Sequence, residues 1–310
     1  MNDMGDGVKV VALGGGHGLY TTLSALRLLT PNTTAIVTVA DDGGSSGRLR
    51  EEFDILPPGD LRMALSALCD DGEWNLTWRD VLQYRFKSDG VLNGHALGNL
   101  LLAGVWDLLG DPVRGLDLVG RLLHISGRVL PMAAIPLQIE ADIAEDARIR
   151  TITGQAEVAT CNADIRQVRI VPENPPAVCE AIEAIGEADW VIFGPGSWFT
   201  SVIPHLLVPE LLEALIASKA RRALIINLVP DNETRRLSAS DHVRSFQEHA
   251  PDLRLDTVLI DVDADINWDN LRHASASAGA QVVARPVADK SDPARHDAQL
   301  LSAALSELFN

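Results

Sequence analysis

Three stretches of the chain hold residue types that grip phosphates and sugars. The first is Gly14-Gly15-Gly16-His17-Gly18, which follows the apolar run Val10–Leu13. Glycine has no Cβ, so a ligand can lie directly against the backbone. Where such a turn opens a helix, unpaired N–H groups and the helix dipole favour an anion. The chemistry indicated over Gly14–Gly18 is a phosphate or pyrophosphate. The alternative is a turn that only packs helix against strand. The dinucleotide fingerprint is incomplete: Gly14 and Gly16 fit its first two positions, but Leu19 replaces the third glycine. No Gly-Lys-Ser/Thr follows, which excludes a lysine-bearing P-loop.

The second stretch is Asp41-Asp42-Gly43-Gly44-Ser45-Ser46-Gly47-Arg48-Leu49-Arg50. An acid after the second strand of a doubly wound fold often bonds ribose hydroxyls. Gly43 and Gly44 permit a nest of N–H groups, and Ser45 and Ser46 can donate to phosphate oxygens. The competing reading is a surface turn whose Asp and Ser cap the next helix. The third stretch, Gly194-Pro195-Gly196-Ser197-Trp198-Phe199-Thr200-Ser201, repeats the opening logic after the apolar run Trp190–Phe193. Ser197, Thr200 and Ser201 are expected to bond a second phosphate or a sugar, with helix capping by Ser197 as the alternative.

Single residues extend the set. Asp60 stands before a helix expected to start at Leu61, where capping competes with ligand contact. Arg62 falls in that helix's first turn, a poor place for a cation unless an anion lies nearby. His95 sits at or before another helix start. The dipole there disfavours the imidazolium, so the ring can offer an uncharged donor. Gly94, Gly98 and Asn99 surround it. A lone histidine of this kind is otherwise structural.

The elements that must position these residues read as alternating strands and helices. Val10–Gly14, Thr34–Ala40, Trp190–Phe193, Arg222–Leu228, Thr257–Val262 and Val282–Val287 are apolar, β-branched runs. Leu19, Leu23, Leu26 and Leu29 share one helical face. Asp71–Gly90 is expected to pack Trp74, Trp78, Tyr84 and Phe86 on the core, and a long apolar helix is expected through Leu109. From 127 to 172 short strands between turn signals predict a β-rich insertion. Helices are also predicted over Ala181–Glu187, Ser238–Ala250 and Asp297–Phe309, with Ser238 or Ser240 and the His296-Asp297 pair as caps. The fold class predicted is α/β: Rossmann-like, doubly wound, with a mainly parallel sheet and helices on both faces. One domain is expected over 8–310, after a disordered segment at 1–7.

Composition sets the outer bounds. The 310 residues are 46% apolar with a formal net charge of -17. That charge argues against nucleic acid and anionic membrane surfaces as partners. No apolar run approaches the ~18 residues of a membrane helix, so no membrane insertion is expected. Cys69, Cys161 and Cys179 form neither a metal spacing nor a disulfide framework, and Met1–Gly7 lacks a signal peptide's basic and apolar regions. A cytoplasmic protein is expected. A homodimer is the expected assembly, and the sequence names no protein partner.

The motifs, taken in order, carry a resemblance. Val10–Leu19, Thr38–Arg50, Pro57–Arg62, Gly94–Gly104 and Gly194–Ser201 together resemble the YvcK/CofD-like family, also called the gluconeogenesis factor family. The resemblance runs from about Val8 to the end. It implies a Rossmann-like core related to 2-phospho-L-lactate transferase. The YvcK branch looks like a cytoplasmic binder of UDP-sugars, typically UDP-N-acetylglucosamine, linked to central carbon flux, cell shape and peptidoglycan precursor supply. The transferase branch uses a nucleotide-activated donor and magnesium. Gly14–Gly18, Asp41–Ser46, Asp60, Arg62, His95, Asn99 and Gly194–Ser201 match the shared motifs and carry over as ligand-site candidates. The chain departs from the pattern at Met63, where the family commonly has Asn. It departs again at Val229–Leu237, where Leu237 replaces an expected aromatic residue.

The leading expectation is a nucleotide-sugar-binding regulator without turnover. Gly14–Gly18 and Gly194–Ser201 hold the pyrophosphate, while Asp41 and Asp42 take ribose or sugar hydroxyls, or Asp42 holds Mg2+ through water. The alternatives are a phospholactyl or phosphoryl transferase with the same donor site, and an NAD(P)-binding protein. In the transferase, Asp42 or Asp60 sits near the metal and Arg62 or His95 stabilises charge on the transferred group.

Overall fold

The computed structural model describes residues 7–145 and 148–310. The segment expected to be disordered, 1–7, lies outside the described residues except for Gly7. The strands in chain order are β1 (Val10–Gly14), β2 (Thr33–Val37), β3 (Arg128–Pro131), β4 (Gln138–Glu145), β5 (Arg148–Thr153), β6 (Asp164–Val171), β7 (Trp190–Phe193), β8 (Arg221–Ile225), β9 (Thr257–Asp261) and β10 (Gln281–Arg285). The helices are α1 (Gly16–Leu26), α2 (Gly44–Phe53), α3 (Pro58–Ala67), α4 (Glu73–Gln83), α5 (Leu97–Leu109), α6 (Pro112–Leu123), α7 (Gln155–Ala159), α8 (Cys179–Glu187), α9 (Pro209–Ala217), α10 (Ala239–His249), α11 (Trp268–Ser277) and α12 (Ala298–Phe309).

Seven strands form one parallel sheet in the order β10-β9-β8-β7-β1-β2-β3. All five residues of β1 and all five of β9 are buried. Successive side chains alternate faces, so both faces of the sheet are covered there. That is why these strands read as unbroken apolar runs. The chain leaves β1 in one direction, through β2 to β3, and returns through β7 to β10 on the other side. Between β1 and β7 the strand order reverses, and such a switch point opens a crevice at the carboxyl ends of the strands.

The remaining strands form a separate antiparallel sheet, β5-β4-β6. The β-rich insertion is therefore narrower than 127–172. Its expected first strand, Val129-Leu130, is β3 and pairs with β2 at the edge of the main sheet. A short apolar strand looks alike in either sheet, so periodicity does not separate them.

Local chemistry sets the helix ends. α1 has Gly15 at its N-cap, with no side-chain cap, and buries Leu19, Leu23 and Leu26. α3 begins at Pro58, earlier than the expected Leu61, because proline fits the first helical position. Ser238 caps α10 in a reciprocal pair with Asp241. The aromatic set over Asp71–Gly90 is not all core. Trp74 and Tyr84 are half-exposed, and the Trp74 indole N–H donates to the Leu122 carbonyl in the last turn of α6.

Candidate functional site

The turns after β1 and β7 interlock. A Cβ on Gly18 would stand 2.0 Å from the Pro195 carbonyl oxygen, so only glycine allows this approach. Gly16 has φ of 56°, in the left-handed region, and open space above it. Over the two turns lies a crevice of about 350 Å³. Its walls come from Gly15–Gly18, Asp60, Pro195–Ser197, Ser201, Asn227 and the loops at Leu228–Asp231 and Ala294–His296.

The two turns offer different chemistry. At the start of α1 the amides of His17 and Gly18 belong to the first helical turn, which has no intrahelical acceptors. The Gly16 amide bonds the Asp60 carboxylate. The second turn is already tied: the Gly196 amide donates to Asn227 Oδ1, and Asn227 Nδ2 donates to the Gly196 carbonyl, both at 2.8 Å. Its contribution is therefore the Ser197 and Ser201 hydroxyls. Ser197 makes no side-chain cap. Thr200, expected beside them, is fully buried and does not line the crevice; it faces Glu233. The expected helix is a π turn over Trp198–Val202.

Asp60 is no cap for α3. Burial, and then the neighbouring Asp41 carboxylate, push its pKa up to about 7. Its Oδ2 lies 2.5 Å from where a Gly15 Cβ would stand. Arg295 is the one guanidinium among the crevice-lining residues. His296, read from sequence as a cap with Asp297, lines the crevice instead, and Asp297 alone caps α12. Burial drops the His296 pKa to about 4, so the ring is neutral.

The remaining motif residues do not line this crevice; of these, Ser45, Ser46, Arg62, His95 and Asn99 form a buried layer beside it. Arg62 Nε donates to Asn99 Oδ1 at 2.8 Å, and its terminal nitrogen donates to Gln83. Asn99 Nδ2 donates to Ser45 Oγ at 3.0 Å. Ser45 Oγ also meets His95 Nδ1 at 3.0 Å. This chain of contacts joins α2, α3 and α5. Burial, then Arg85, lowers the Arg62 pKa to about 10. Burial, then Arg48, lowers that of His95, which keeps the ring neutral. Ser46 Oγ accepts from the Gly59 amide, and Asp41 Oδ1 from the Gly43 amide. Gly43 is the N-cap of α2, and Gly44 opens it with φ of 48°.

Asp42 has a separate task. Its Oδ1 accepts the Ala156 amide at 2.9 Å, which pins α7 and the insertion to the end of β2. Among the described residues no three His, Cys, Asp or Glu side chains converge on one point.

Glu233 was not marked in the sequence. It is buried, and its Oε1 accepts the Phe199 amide at 2.9 Å. Burial, then Asp231, pushes its pKa up to about 8. It fastens the loop after β8 to the π turn, while Arg236 ties the same loop to Asp164 of the insertion at 3.0 Å. Asn227 and Glu233 stand singly in the loop after β8, and Arg295 and His296 side by side before α12. The one signal for them is position: Asn227 follows a strand and Arg295 and His296 border a helix start, while nothing marks Glu233.

Residues 10–305 match the family described as "2-phospho-L-lactate transferase CofD". A putative gluconeogenesis factor of Mycobacterium tuberculosis (strain H37Rv) is 51% identical over 304 residues, covering 94% of this chain and 88% of that protein. The gluconeogenesis factor of Bacillus subtilis is 35% identical, covering 99% of each. The crystal structure of a UPF0052 family protein from Bacillus halodurans has a TM-score of 0.86 at 34% identity. It covers 97% of this chain and 99% of that one. No single helix among the described residues is long and apolar enough to cross a membrane.

Proposed function

The chain belongs to the CofD family, and from that premise we propose that it binds a nucleotide sugar of the UDP-N-acetylglucosamine type in the crevice between β1 and β7. The diphosphate lies over the His17 and Gly18 amides, with the Ser197 and Ser201 hydroxyls opposite and Arg295 above. The sugar extends toward Asp60. One observation carries the reading: a glycine-walled crevice at the sheet's switch point, lined both by the first turn of α1 and by Arg295.

The name its relatives carry supports a role related to carbon metabolism. We place that role in regulation, with cell shape and peptidoglycan precursor supply as the processes served. Binding without turnover is favoured because Asp60, His95, His296 and Glu233 are each held in place by the fold. Arg62 and His95, the residues assigned to charge stabilisation in a transferase, sit in the buried layer. The protein acts in the cytoplasm, as a homodimer.

Thermal shift with UDP-N-acetylglucosamine, GDP and NAD, with and without magnesium, tests the reading. Stabilisation by the uridine sugar without magnesium supports it. Stabilisation only by GDP with magnesium replaces it with the transferase; stabilisation only by NAD replaces it with a dinucleotide binder.

A further inference from the structure

α5 is apolar nearly all round, and Asp107 is its single charged residue. Its inner face buries Leu102, Ala103 and Trp106 within the helical layer. Its outer face carries the stripe Leu97, Leu101, Gly104 and Leu108. A helix apolar all round belongs inside a protein. Yet Gly104 is exposed, Leu108 is 80% exposed, and Leu97 and Leu101 are half-buried. The loop before the helix extends this surface. The Leu97 amide donates to the Tyr84 carbonyl, and Tyr84, Val91 and Leu92 are themselves exposed.

The stripe is spaced by four, three and four residues. That is the seam spacing of paired helices, and it reads the same in both directions. Laid antiparallel on a second copy, it sets Leu97 opposite the partner's Leu108 and Leu101 opposite the partner's Gly104. A Cβ on Gly104 would meet nothing within 4 Å, so the space there admits the leucine. The charges agree with this orientation. Residues 84–92, at the amino end of α5, carry Arg85, Lys87 and Asp89; residues 107–114, at its carboxyl end, carry Asp107, Asp111 and Arg114. Opposite net signs therefore meet at each end of an antiparallel pair. With a formal net charge of -17, two copies repel each other over most of their surface. This near-neutral face is where they approach at least cost. A partner of another sequence needs neither the symmetric spacing nor ends of opposite sign, whereas a two-fold interface must be self-complementary.

We propose that the outer face of α5 is the interface of the homodimer, with α5 packed antiparallel on the partner's α5 about a two-fold axis between Leu101 and Gly104. The proposal rests on the homodimer reading and names its surface. Pairing there also braces the site. The loop that brings His95 to Ser45 runs directly into the packed helix.

Sedimentation velocity of the full chain at micromolar concentration tests this. Gly104→Glu and Leu108→Glu each put a charge in the seam. The fold tolerates both, since Gly104 has open space around it, glutamate is the better helix former, and Leu108 is exposed. Each is expected to weaken dimerisation at least about a hundredfold and to sediment as a monomer. Ile216→Glu makes the same change at an exposed apolar residue of α9, which packs on α8, and is expected to stay dimeric. A natural protein that dimerises together with Gly104→Glu and Leu108→Glu variants that dimerise as tightly overturns the proposal and leaves the homodimer reading standing. Dissociation of Ile216→Glu to the same extent also overturns it, because the effect would then follow added charge rather than place. If the natural protein is a monomer, the homodimer reading itself falls and this interface with it.

Discussion

Gly18 and Pro195 meet so closely that a methyl group on Gly18 would stand 2.0 Å from the Pro195 carbonyl oxygen. One contact thus sets the spacing of the turns after β1 and β7, and with it the width of the crevice. Gly18 lies within α1, where alanine would ordinarily be favoured by about 0.5–1 kcal/mol. Here the backbone clash outweighs that gain. Gly18→Ala is expected to destabilise the protein by about 1–3 kcal/mol and to abolish ligand binding. Denaturant unfolding beside calorimetry checks both effects. A stabilised variant with intact binding would refute the interlock.

Asp60 gives the site a pH dependence. Its folded pKa, about 7, lies above the ordinary 3.8. The folded state therefore holds its proton longer than the unfolded chain does. The stability linked to this proton is fully present below about pH 4 and is lost as pH rises to about 7. The ionised form also repels a bound diphosphate. Affinity for UDP-N-acetylglucosamine is expected to fall about tenfold between about pH 6 and about pH 8. Asp60→Asn should flatten most of that slope. Calorimetry across the range reads it, and an identical slope in the variant would remove Asp60 from the site.

Glu233 follows the same sign at a higher pH. Its pKa is raised from 4.5 to about 8, so stability falls as pH rises between those values. Glu233→Gln keeps an acceptor for the Phe199 amide and removes the ionisation. The variant's melting temperature should decline less than the natural protein's between about pH 5 and about pH 8. Glu233→Ala should cost about 1–3 kcal/mol at any pH, since it leaves a buried amide unpaired. Parallel melting curves for the natural protein and Glu233→Gln would place the titrating group elsewhere.

The family motifs were legible as motifs but not as one surface. Gly14–Gly18 and Gly194–Ser201 do meet, because both end central strands of a parallel sheet. Ser45, Arg62, His95 and Asn99 instead pair with one another inside the helical layer. A sequence shows a polar residue at a helix start, but not whether its partner is a ligand or another side chain. Arg295 goes unmarked, and His296 reads as a cap, for the opposite reason. They reach the crevice from the loop between β10 and α12, far along the chain, and no spacing rule links them to the glycines.

Asp42 illustrates the same limit and yields a test. It reads as a sugar or metal ligand, yet it holds the first turn of α7 through the Ala156 amide. Asp42→Ala is expected to loosen the insertion locally, at a cost of about 1 kcal/mol. Hydrogen exchange at Ala156 should quicken several-fold while exchange in β1 stays unchanged. Unaltered exchange at Ala156 would show that this contact does not hold the insertion.

The most direct measurement is a co-crystal structure with UDP-N-acetylglucosamine. The account predicts the diphosphate over the His17 and Gly18 amides, between the ends of β1 and β7, with the Ser197 and Ser201 hydroxyls within bonding distance. A diphosphate bound outside that crevice, or a crevice that stays closed around side chains while the ligand binds elsewhere, would contradict it.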